Sequence, residues 1–115
     1  MPSSTYDRLR RDLITAMKQR DQVAVSAIRT AIAAIDNASA VDVPQIRSID
    51  WKPGLINEVP RREVDESETL RILEREIDEK RQAIQDLDGL GEIELVDLIE
   101  RLRSEVEVLT RYVAG

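Results

Sequence analysis

The sequence predicts an all-α fold, a small helical bundle ending in a long antiparallel helical hairpin. Three observations carry that expectation. Apolar residues recur at 3-4 spacing through four separate stretches. The apolar content is Leu, Ile, Val and Ala; Phe is absent and aromatic residues make up only 3%, a filling suited to packed helices. The stretches open or close on residues that cap helices. With 115 residues, one small domain spanning the whole chain is expected.

The first helix is predicted over residues 5–19, capped by Ser4 or Thr5. Tyr6, Leu9, Leu13, Ala16 and Met17 share its inner face, and Arg8, Arg10, Arg11, Lys18 and Arg20 lie largely elsewhere. Asp21 is placed to cap a second helix over residues 22–36. There Val25, Ile28, Ile32 and Ile35 form one stripe, and Ala24, Ala27, Ala31 and Ala34 form another beside it. A helix apolar around most of its circumference should be the most buried one. Arg29 is its only charged side chain between Gln22 and Ile35, on a narrow face with Gln22, Ser26 and Ala33.

The third helix starts at "DESE", with Asp65 as cap and Glu68 in capping-box position. Leu70, Leu73, Ile77, Ile84 and Leu87 make its stripe, and Lys80 occupies one expected apolar place. Either Lys80 snorkels at the hairpin edge, or it forms a buried Lys–Glu pair with a shifted pKa. "DGLG" ends the helix through a left-handed glycine. A fourth helix over residues 92–113 places Leu95, Ile99, Leu102, Val106, Leu109 and Val113 in register with the third. Together they read as a hairpin of more than about 20 residues per arm.

Residues 37–64 interrupt the pattern. Pro44, Pro53 and Pro60 oppose a continuous helix, and "KPG" reads as a turn. Connections of this length are usually functional or disordered. Val41, Val43, Ile46, Ile49, Leu55, Ile56 and Val59 are too apolar for a plain linker, so part of the segment is expected to pack on the bundle, with a short helix or turn near 54–59. Trp51, the only tryptophan, is read as the anchor of that loop; the alternative is a binding hot spot. Arg61 and Arg62 at the loop exit either pair with Asp65 or Glu66, or join Arg29 in a clamp for phosphate or carboxylate.

Composition narrows the function. Hydrophobic residues at 42% and charged residues at 35% are inconsistent with general disorder. Net charge is −6, unevenly spread: residues 1–62 carry ten Lys/Arg against seven Asp/Glu, and residues 63–115 carry seven against sixteen. The whole is too acidic for a general nucleic-acid coat, yet the arginines of the first helix offer a basic face for RNA. Cys and His are both absent, which removes thiolate chemistry, the preferred zinc ligands and the usual general base near neutral pH. The carboxylates Glu74, Asp78 and Glu79, and Glu105 with Glu107, read as solvated faces with no EF-hand spacing. No cofactor, metal or catalytic residue is expected. No apolar run approaches 18 residues, so no membrane association and a cytoplasmic location are expected.

Several stretches resemble the YqeY-like family, which is related to the C-terminal region of the B subunit of aspartyl/glutamyl-tRNA amidotransferase. "RLRRDLITAMKQRDQVAVSAIRTAIAAI" resembles the family's opening helix pair. "RREVDESETLRILEREIDEKRQAIQDL" resembles its third helix, and "RLRSEVEVLTRYV" its closing helix. The resemblance implies an all-helical fold over 1–36 and 61–113. It also implies a link to the tRNA-dependent amidotransferase system, and by kinship a carbon–nitrogen ligase activity using glutamine. The family's second helical domain, the tail associated with tRNA contact, is expected to be missing, and the 37–60 connection is longer than the family's. No nucleophile, phosphate loop or activated serine supports glutamine chemistry here. The leading expectation is therefore a non-catalytic interaction module with a protein partner, with tRNA or RNA binding as the alternative. The width of the stripes leaves homodimerisation open.

Overall fold

The computed structural model describes residues 4–40 and 63–114. It is an all-α bundle of four helices in the order α1 (Ser4–Gln19), α2 (Gln22–Ser39), α3 (Glu66–Leu90) and α4 (Val96–Val113). The expected loop anchor Trp51, the arginines Arg61 and Arg62 and the turn near 54–59 lie outside the described residues.

The boundaries follow from local chemistry. Asp21 caps α2 by accepting from the Ala24 N–H at 3.1 Å, and Asp65 caps α3 by accepting from the Glu68 N–H at 2.8 Å. Each side chain satisfies a donor that a helix start leaves unpaired. Gly91 closes α3 with φ 65°, in the left-handed region, where a Cβ would strain the chain. Two bounds differ from the sequence reading. α2 runs on to Ser39, because Asn37, Ala38 and Ser39 contain no helix breaker. The fourth stretch opens as a short 3-10 turn, Ile93–Leu95, before α4 begins, so the second arm of the hairpin is 18 residues rather than more than 20.

The core joins Leu9 of α1, Ala27, Ile28, Ala31 and Ile35 of α2, Ile72, Leu73 and Ile77 of α3, and Leu109 and Tyr112 of α4. α3 and α4 pack along each other, and α2 lies against α1, α3 and α4. Five of the 18 residues of α2 are exposed, the smallest share of the four helices, as its all-round apolarity requires. Val64, just before α3, is also in the core. Met17, expected on the inner face of α1, is 49% exposed. Thr5, in the first turn of α1, is buried.

α1 is held by polar clasps as well as by Leu9. The Thr5 N–H donates to Glu66 Oε1 at 3.1 Å, and the Thr5 hydroxyl donates to the same carboxylate. The Tyr6 hydroxyl donates to Asp36 at 2.7 Å. The Tyr112 hydroxyl donates to Asp12. An arginine of α1 lies over each ring, Arg10 at 5.7 Å from the Tyr6 centroid and Arg8 at 5.1 Å from that of Tyr112. Among the described residues no buried side-chain N or O lacks a hydrogen-bond partner. No described helix is long and apolar enough to cross a membrane.

These contacts set two stability predictions. Leu109 is fully buried, so Leu109→Ala should cost roughly 2–5 kcal/mol in denaturant unfolding, whereas Asp65→Ala, the loss of one cap, should cost about 1 kcal/mol. Burial and the bond to Asp12 raise the Tyr112 pKa above its ordinary 10.0. The native state therefore holds that proton more tightly than the unfolded chain. Stability should be at full value below pH 10.0, the ordinary value, and fall as pH rises above it. Urea titrations across alkaline pH should show this slope, and Tyr112→Phe should reduce it, leaving the part due to Tyr6, whose pKa burial and Asp36 also raise.

Candidate functional site

Two features of the hairpin stand out chemically. The first is a buried ionic layer. Lys80 fills an apolar place in the α3 stripe, and its Nζ meets Glu105 Oε1 of α4 at 3.0 Å, with side-chain exposures of 12% and 7%. Arg101 Nε reaches the other oxygen of Glu105 at 3.3 Å, and the Ser26 hydroxyl of α2 donates to it at 3.5 Å. Lys80 is thus paired with Glu105 and largely covered rather than snorkelling into water. Glu105 is likewise buried, not part of a solvated face. It sits on the side of α4 that α2 covers, in heptad register with Leu98 and Tyr112.

The second feature is the tip beyond this layer. α1 starts level with α3, as the Thr5–Glu66 clasp shows. With 16 residues against 25, it is about 14 Å shorter at 1.5 Å per residue. α2 reaches the hairpin's ionic layer through Ser26 and begins only four residues earlier, at Gln22. The end of the hairpin thus projects past the helices that cover its base. Leu98, one heptad before Glu105, is 46% exposed where no α2 residue remains to cover it. Leu90, Val96 and Ile93, the last at 81%, are exposed as well.

The tip is also acidic. Residues 82–100 hold Asp86, Asp88, Glu92, Glu94, Asp97 and Glu100 and no Lys or Arg. The sequence carried a sign of this. Ile93, Leu95, Val96, Leu98 and Ile99 crowd five large apolar side chains into seven positions, more than one 3-4 stripe can bury. Leu90, Ile93, Val96 and Leu98 fall outside the stripe read from the sequence, and they are the exposed ones.

Of the residues singled out in the sequence, Arg29 is exposed on α2 while Lys80 lies largely covered between α3 and α4, so the structure does not bring these two together. Trp51, Arg61 and Arg62 lie outside the described residues. Glu74, Asp78, Glu79 and Glu107 are exposed, and the described residues contain no group of His, Cys, Asp or Glu able to hold a metal ion. A cleft of about 250 Å³ opens between α1, the start of α2 and the end of α4, lined by Arg8, Asp12, Gln19, Arg111 and Tyr112 among others. Its central groups are engaged internally: Asp12 accepts from Tyr112, and Arg8 lies over the Tyr112 ring. Burial and the neighbouring aspartate push the tyrosine pKa up. The arrangement holds a proton on that hydroxyl rather than releasing one near neutral pH.

Comparison of the chain with models of protein families, with curated proteins and with solved structures finds no match.

The ionic layer has a measurable consequence. Lys80→Met leaves the Glu105 carboxylate buried with only the half-exposed Arg101 as cation. It should cost roughly 3 kcal/mol in urea unfolding, and Lys80→Met with Glu105→Leu should recover most of that loss.

Proposed function

We propose that this protein is a non-catalytic interaction module whose working face is the tip of the α3–α4 hairpin. The observation that carries the reading is the combination of four exposed large apolar side chains with a 19-residue span of one charge sign. Apolar surface of this kind marks sites of association. The carboxylates around it select partners with a basic rim and repel acidic ones. The surface therefore suits a protein partner with an apolar face flanked by Lys or Arg. The resemblance to YqeY-like sequences supports a setting in the tRNA-dependent amidotransferase system, and a cytoplasmic location belongs to the same proposal.

A second reading, RNA binding through α1, rests on the exposure of Arg8, Arg10 and Arg11, which line an open depression on that helix. Arg8 and Arg10 already lie over tyrosine rings, so fewer cations are left to face phosphates.

Recovery of the tagged protein from lysate of its source cell, with and without ribonuclease, separates the readings. Retained protein partners that survive ribonuclease and are lost with Ile93→Asp are expected. Recovery of RNA, or partners that vanish on digestion and ignore Ile93→Asp, would replace the tip by α1 as the working face.

A further inference from the structure

The large apolar residues exposed on the described surface fall into two groups. One is the acidic tip, with Leu90, Ile93, Val96 and Leu98; the other is Ile14 and Met17 on α1. Ile14 and Met17 are three residues apart and exposed on one flank of α1, turned from Leu9 by about 140° and about 80°. Arg10, Arg11 and Lys18 flank them on the same face, with Asp7 as the only acid there. One group is thus apolar with a basic rim, and the other is apolar with an acidic rim.

We propose that the hairpin tip docks on the outer face of α1 of a second copy of this chain, and that two copies do so reciprocally about a two-fold axis. The inference rests on the tip being a docking face and names what occupies it. The charges decide which faces meet. Tip on tip would bring together two sets of six carboxylates with no cation between them, and like charges in contact are destabilising. Tip on α1 places Glu92, Glu94 and Asp97 near Arg11 and Lys18, while Ile93 and Leu98 meet Ile14 and Met17.

The lengths allow this arrangement. α1 is held beside the start of α3 by the Thr5–Glu66 clasp, and its 16 residues run about 24 Å toward the tip. Ile14 and Met17 therefore lie near the level where the tip begins. Two copies side by side and antiparallel, overlapping by about two tip lengths, bring each tip beside the second half of the partner's α1. The contact is made twice, as a closed two-fold pair requires. The tip of one copy then receives the third helix that its own α1 and α2 are too short to supply.

Sedimentation equilibrium on the intact chain tests the proposal. A monomer–dimer equilibrium at micromolar concentration is expected, weakening as salt rises because the rims are exposed. Ile93→Asp and Met17→Asp should each raise the dissociation constant by about tenfold or more, the loss of one apolar anchor. Both side chains are exposed, and circular dichroism should report an unchanged fold. Arg11→Glu with Lys18→Glu should give monomers, as should Glu94→Lys with Asp97→Lys. One chain carrying all four reversals should dimerise again. A wild type that is monomeric at every concentration overturns the proposal, as does a dimer broken by tip changes but not by α1 changes. A monomer whose Ile93→Asp variant still loses its partners on recovery from lysate removes the second copy alone and leaves the tip as a docking face. A monomer whose partners ignore that substitution removes both.

Discussion

The ion pair between Lys80 and Glu105 divides this molecule in two. Below it, four helices share one apolar core and every turn of α3 and α4 has α1 or α2 nearby. Beyond it α2 ends within about one turn, and the hairpin then continues alone. A buried pair of this kind does not owe its place to stability, because apolar residues of similar size would serve as well or better. Its contribution is registry. Glu105 accepts from Lys80 of α3, Arg101 of its own helix and Ser26 of α2. A slip of α4 by one turn would take the buried carboxylate away from Lys80 and Ser26 and leave it only Arg101 of its own helix. The layer therefore fixes where the start of α2 meets the hairpin, and with it how much of the hairpin stays uncovered.

The same logic governs α1. Its inner face has little bulk, with Leu9 as the only fully buried large apolar residue. Hydrogen bonds from Thr5, Tyr6 and Tyr112 make up the difference, each ending on a carboxylate of a different helix pair. These clasps hold the helix by its inner side and its first turns. They leave its outer side free to carry Ile14, Met17 and the basic rim. A helix held by apolar packing alone would need a wider apolar stripe, and a wide stripe could not also present charge outward.

The four helices, their caps and the glycine stop were legible in the sequence because each is a local effect: period, cap chemistry, left-handed backbone. What was not legible depended on relative length. Met17 fits the inner face by period alone, but lies outside because Thr5 and Ala16 define that face slightly differently once α1 is seated. Glu105 reads as one more surface acid until α2 covers it. Lys80 as an intruder in an apolar stripe was visible, yet its partner was not, since 25 residues separate the two. The exposed tip follows from a subtraction, α3 minus α1, that needs the helices docked before it can be made.

Amide hydrogen exchange, followed along α3 and α4 at low and at high protein concentration, tests the division most directly. Strong protection is expected in the body up to Lys80 and Glu105, with faster exchange across residues 84–98 in dilute solution. That stretch and residues 10–18 of α1 should gain protection together on concentration. Protection that is uniform along both helices, and indifferent to concentration, would contradict it.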